Sequence, residues 1–199
     1  IYSKIKPNPD YVDLISLMDF FSKINFYDID FILAIGGGSV MDSAKVIAAF
    51  KNNKKLLTDF VKKNKPPIIN ETVDLITIPT TSGSSSELTC WATIWDKESS
   101  KKFSLSHSKL YPNTAIIDPT LLINKPRELT ISTGLDALSH SMESIWNINA
   151  NPISSYHAIK GARLVLENLP KLANDLNNLE LRTNLALACV HAGLAFSNT

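Results

Sequence analysis

The apolar run Phe31-Ile32-Leu33-Ala34-Ile35 passes without a break into Gly36-Gly37-Gly38-Ser39 and then into helix-forming sequence. This junction constrains the fold more than any other stretch. A short unbroken apolar run reads as a strand buried on both faces of a parallel sheet. The glycines let the backbone turn sharply and let a ligand approach it closely. The first N–H groups of the following helix, expected over 40–50 with Ala44, Ile47 and Ala48 inward, have no partner within the helix. Together these features make an anion site suited to a pyrophosphate. A second reading of the same residues is purely structural, with Ser39 as N-cap and Asp42 closing a capping box.

Further buried strands are expected at 75–78 and 115–119, and a helix over 12–24. Beyond Leu122 the pattern changes to helical periods over 135–146, 153–169 and 179–196, with Pro170 a place for a kink rather than a stop. The expected fold is α/β, a Rossmann-like and mostly parallel sheet domain over 1–124, followed by the start of an all-α domain over 125–199. The lysine-rich stretches 51–55 and 62–65 read as solvated loop edges.

Composition removes several function classes. A net charge of +1 does not supply the basic excess of a general nucleic-acid surface. No apolar run reaches the roughly 18 residues of a membrane span, and the polar opening does not read as a signal peptide. Cys90 and Cys189 share no ligand spacing and are expected as buried thiols in a cytoplasmic protein.

Two further patterns carry chemistry. Thr80-Thr81-Ser82-Gly83-Ser84-Ser85-Ser86-Glu87 and then Thr89 follow a strand, where α/β sheets bind ligands. The competing reading is a flexible Ser-rich loop. In Thr133-Gly134-Leu135-Asp136-Ala137-Leu138-Ser139-His140, Asp136 and His140 fall one helical turn apart on one face, an arrangement that suits a divalent metal, although a lone helical His is more often a surface or packed residue. Thr133 and Asp136 also match a capping box. His107, His157 and His191 read as structural or surface residues.

Pro7-Asn8-Pro9, Gly36-Gly37-Gly38-Ser39-x-x-Asp42, Pro79-Thr80-Thr81-x-Gly83-x-x-Ser86-Glu87-x-Thr89, Ile117-Asp118-Pro119 and Thr133-Gly134-x-Asp136-Ala137-Leu138-x-His140 occur in the order seen in the iron-containing (group III) alcohol dehydrogenases, which the chain resembles over nearly its whole length. The resemblance implies hydride transfer between NAD or NADP and an aldehyde or alcohol, assisted by a divalent metal, iron(II) ahead of zinc. It makes Asp136 and His140 the first two metal ligands. Gly37, Gly38, Ser39 and Asp42 become the pyrophosphate loop, Thr80, Thr81 and Thr89 cofactor-lining residues, Lys102 a ribose neighbour and Leu122 a neighbour of the adenine or ribose. Two more ligand histidines are expected beyond the Gly193-Leu194-Ala195-Phe196-Ser197-Asn198 segment, and a first strand upstream, so the chain is expected to be the middle of a longer polypeptide, inactive alone and a homodimer or larger when whole. Trp91-Ala92-Thr93-Ile94-Trp95-Asp96 and Glu143-Ser144-Ile145-Trp146-Asn147-x-Asn149-Ala150-Asn151-Pro152 resemble the branch that reduces phosphonoacetaldehyde to 2-hydroxyethylphosphonate, the competing reading being that these aromatics are ordinary packing residues. Two alternatives stand beside this reading: an inactive nucleotide-binding module, and a phosphate-binding lyase of the dehydroquinate synthase type.

Overall fold

The computed structural model describes residues 1–199 apart from the side chain of Tyr27. Its helices are α1 (Tyr11–Phe21), α2 (Gly38–Phe50), α3 (Lys54–Lys63), α4 (Arg127–Trp146), α5 (Pro152–Leu172) and α6 (Leu179–Phe196). Its strands are β1 (Phe31–Gly36), β2 (Asp74–Pro79), β3 (Trp91–Asp96), β4 (Lys101–Ser106) and β5 (Thr114–Ala115). A parallel sheet has the order β1-β2-β5, and β3 and β4 form a separate antiparallel hairpin. The architecture is therefore the expected α/β sheet with a helical region.

By packing, the chain divides into a unit of Ile1–Thr77 with Cys90–Thr114 and a unit of Ile78–Thr89 with Ala115–Thr199, not at a single cut after residue 124. The reason is local. The loop after β2 leaves the sheet and bonds to helices: the Ser85 hydroxyl donates to the Cys189 carbonyl at 2.8 Å, and the Ser197 hydroxyl to the Leu88 carbonyl at 3.1 Å.

In the first unit, Asp10 caps α1 through the Val12 N–H and also accepts from the Lys97 N–H at 2.7 Å. The preceding Pro9 carbonyl accepts from the Trp95 N–H, which ties the N-terminal segment to the hairpin. Leu14, Met18, Val46, Phe50, Leu57, Ala92 and Ile94 fill the core. Two elements differ from expectation. The lysine-rich stretch is a helix, because Leu57, Phe60 and Val61 are spaced to bury one face between an Asn53 N-cap and a left-handed Asn64 C-cap. The hairpin also went unpredicted, although Ala92 and Ile94 alternate inward along β3.

Strand β1 is buried on one face only. Phe31, Leu33 and Ile35 remain about half exposed (50%, 48% and 53%) while α2 packs on the other face. The strand expected at 115–119 shortens to Thr114–Ala115, because Pro119 opens a 3-10 turn capped by Asp118.

In the second unit, α4, α5 and α6 enclose Ala137, Val165, Leu169, Leu172, Leu185, Ala188 and Ala192. Asn151 caps α5 in a capping box with Ser154, Pro152 occupies the first turn, and the helix runs through Pro170 to Leu172. The α6 face carrying Leu185, Ala188 and Ala192 is buried in this core, while the exposed large apolar side chains of this unit lie mainly on α4 and α5, Trp146, Ile153, Tyr156 and Leu166 among them.

Close helix packing here depends on small residues. A Cβ added at Gly161 would sit 2.7 Å from the Ser141 hydroxyl and 3.2 Å from the Ala188 carbonyl oxygen. Gly161→Val is expected to destabilise the chain by about 1–3 kcal/mol in urea unfolding, the cost of overpacking; an unchanged midpoint would contradict this packing.

Candidate functional site

The glycine junction forms as its sequence requires. A Cβ at Gly36 would lie 2.5 Å from a Val40 methyl carbon, so only glycine lets β1 turn this closely into α2. Gly37 is the N-cap of α2, and no side chain caps the turn. The capping box of Ser39 and Asp42 does not form, because the helix begins at Gly38 and places both residues inside it. Their side chains fasten neighbouring segments instead. The Asn8 N–H donates to the Ser39 hydroxyl at 3.1 Å, and the Thr93 N–H donates to the Asp42 carboxylate at 2.9 Å. The end of α2 thus presents backbone N–H groups without side-chain competition, next to a turn with no Cβ. Lys102 is exposed on β4, with its ammonium 5.9 Å from the centre of the Trp95 ring.

The remaining predicted residues lie in the second unit. The Ser/Thr loop is not flexible filler, since Ser82, Ser85, Ser86, Glu87 and Thr89 are all buried. Gly83 sits against Thr133, where a Cβ would come within 2.8 Å, and Gly193 sits equally tightly against Ser85. Thr81 and Leu122 line one small hollow of about 10 Å³ with Pro79, Asp118 and Cys189; Thr80 and Thr89 do not line it. Burial pushes the Cys189 thiol up to about 12, with Glu87 adding to the effect, so Cys189 is no nucleophile near neutral pH. A larger hollow of about 460 Å³, beside Phe50, Leu56 and Ile69, includes none of the predicted site residues.

Helix α4 starts at Arg127, eight residues before its expected first residue, so Thr133 is an interior residue and no capping box with Asp136 exists. The Thr133 hydroxyl donates back to the Leu129 carbonyl at 2.8 Å. Asp136 and His140 do meet: the Asp136 Oδ1 and His140 Nε2 atoms are 3.8 Å apart. Two donors at that spacing can share one ion with bonds of about 2.0–2.2 Å. The imidazole is stacked on Phe196, with centroids 4.9 Å apart and planes at 26°. Its Nδ1 is buried without a partner, which leaves Nε2 as the nitrogen aimed at Asp136. The pair fits a metal, and among the described residues no third metal-ligating side chain joins it.

The family models for "Iron-containing alcohol dehydrogenase" and for "Fe-containing alcohol dehydrogenase family, C-terminal" match residues 1–119 and 130–199. The chain belongs to the iron-containing alcohol dehydrogenase family. It is 35% identical over 198 residues to the NAD-dependent methanol dehydrogenase of Bacillus methanolicus, covering all of this chain and 51% of that protein. It is 32% identical to alcohol dehydrogenase 4 of Saccharomyces cerevisiae, covering 100% of this chain and 50% of the relative. Among solved structures, sulfoacetaldehyde reductase from Bifidobacterium kashiwanohense in complex with NAD+ superposes with a TM-score of 0.90 at 31% identity, covering 99% of this chain and 51% of that one. An iron-containing alcohol dehydrogenase from Thermotoga maritima gives a TM-score of 0.87 at 30% identity, covering 100% and 53%. The chain spans about half the length of the curated relatives it matches.

Two buried cations behind α4 were not anticipated. Arg182, 1% exposed, donates to the Leu176, Ile123 and Lys125 carbonyls and to the Thr130 hydroxyl at 2.8–3.2 Å. An arginine inside an apolar period was the available signal. Lys125, 8% exposed, donates to the Thr133 hydroxyl at 2.8 Å, and no carboxylate among the described residues offsets its charge. Burial, and then the nearby Arg182 charge, bring its ammonium down to about 8 from an ordinary 10.5.

This depression has a stability signature. Below pH 8 Lys125 is protonated in folded and unfolded chains alike, and the fold carries the full burial cost. Between pH 8 and about 10.5 the unfolded chain still holds a proton that the folded chain has released, so stability rises with pH. Lys125→Met is expected to be more stable than the parent below pH 8, by on the order of 3 kcal/mol, with the gap closing toward pH 10.5. Parallel stability–pH curves for the two chains would contradict it.

Proposed function

We propose that the full-length protein is a metal-dependent oxidoreductase that reduces a small aldehyde to an alcohol with a nicotinamide cofactor. The observation that carries this reading is the convergence of Asp136 Oδ1 and His140 Nε2 to 3.8 Å on one face of α4, in a chain of this family. Asp136 and His140 would hold the ion, together with ligands from elsewhere in the full-length chain. A divalent ion there supplies Lewis-acid stabilisation of the oxygen that gains negative charge during hydride transfer. Iron(II) is favoured over zinc by the family, since these donors accept either. The cofactor supplies the hydride, and NAD is favoured over NADP by the NAD-dependent relative and the NAD+-bound neighbour.

The protein's own contributions are placement and electrostatics. The uncapped N–H groups of α2 would hold the pyrophosphate, with Asn8 and Thr93 fixing Ser39 and Asp42 beside it. Thr80, Thr81, Thr89, Lys102 and Leu122 are the proposed cofactor-lining residues. Phe196 holds the His140 ring from one side, which limits its rotation.

For the substrate we favour a small aldehyde bearing an anionic group, phosphonoacetaldehyde first. Support comes from the Trp91–Asp96 and 143–152 sequences and from the similarity to a sulfoacetaldehyde reductase. The 199-residue segment alone supplies two ligands and is proposed to be inactive, binding metal only weakly.

The test is NADH oxidation by the full-length protein. Phosphonoacetaldehyde is expected to be turned over with a higher kcat/KM than acetaldehyde. Asp136→Ala should lower kcat/KM for either aldehyde by about 100-fold or more. Turnover retained in that variant after metal removal would refute the metal-dependent reading, whereas a preference for acetaldehyde would refute only the anionic substrate class.

A further inference from the structure

Away from Asp136 and His140, the structure brings a second pair of imidazoles together. His157 on α5 and His191 on α6 approach with their Nδ1 atoms 2.9 Å apart, ring centroids at 5.1 Å and planes at 35°. They come from different helices, 34 residues apart in sequence. Both rings are partly exposed, so water can reach them. The Tyr156 ring packs edge-on against His157 at 5.4 Å and restricts its rotation.

We infer that His157 and His191 form a second metal site, which captures a divalent transition ion of the nickel(II) or copper(II) class through both Nδ1 atoms. Two nitrogens 2.9 Å apart, each about 2.05 Å from a shared ion, subtend an angle of about 90°. That is the cis angle of square-planar and octahedral coordination, which nickel(II) and copper(II) adopt with nitrogen and oxygen donors. Without metal one Nδ1 donates its hydrogen to the other. On binding, that proton moves by way of solvent to Nε2, so both rings remain neutral, each protonated on Nε2, and no net proton is released. Lys160 is the cation facing the pair and Tyr156 its other titratable neighbour on α5, and no carboxylate joins the pair among the described residues. Water completes the coordination shell, so the affinity is modest.

The experiment is a calorimetric titration of the Asp136→Ala chain with nickel(II) alone at pH 7.5, which removes one donor of the site on α4. One nickel is expected to bind, with affinity at least about tenfold weaker when either His157→Ala or His191→Ala is added, while His107→Ala changes nothing. Circular dichroism checks that each variant folds, and His157→Gln, which keeps size and hydrogen bonding, serves if the alanine variant does not. The inference is overturned if nickel fails to bind the Asp136→Ala chain, or if it binds equally well without His157 and His191.

Discussion

One buried guanidinium fixes where the fourth helix begins. Arg182 draws the carbonyls of Ile123 and Lys125 and the hydroxyl of Thr130 onto a single side chain of α6. Its charge is dispersed over neutral acceptors, so each bond is charge-assisted, and removing the arginine would strand buried acceptors. From that start, helical geometry does the rest. Thr130, Gly134, Ala137, Ser141 and Ser144 form the buried seam, while Asp136 and His140 are carried on a more accessible face. The spacing of Asp136 and His140 therefore owes its setting to a residue that touches neither of them.

The same division of labour recurs in the glycine turn and the Ser/Thr loop. Residues that resemble cofactor contacts also hold the backbone. Ser39 and Asp42 anchor Asn8 and Thr93, and Ser85 anchors the Cys189 carbonyl. Loops held by such bonds are organised without a ligand, which would reduce the ordering cost of binding one. Substitution at these positions would then disturb the fold as well as anything the loops bind.

Much of this was legible in the sequence because it is local. The run into three glycines, the period of α6 and the four-residue spacing of Asp136 and His140 each declare a conformation within a few residues. What was not legible depends on tertiary partners. Thr133 reads as a cap until Arg182 and Pro126 extend α4 about two turns upstream. The α3 helix was hidden by its lysines, although Leu57, Phe60 and Val61 show the period. The exposure of Phe31, Leu33 and Ile35 could not be read from an apolar run, because the run does not say what covers each face. The pairing of His157 with His191 follows from the packing of α5 on α6, and no spacing within either helix announces it.

The central claim is that Asp136 and His140 point at one shared ion. A crystal structure of the full-length protein grown with iron(II) or zinc tests it most directly. The account predicts a single ion within about 2.0–2.2 Å of both Asp136 Oδ1 and His140 Nε2, with the His140 ring still stacked on Phe196. An ion bound without either side chain, or His140 ligating through Nδ1, would contradict it.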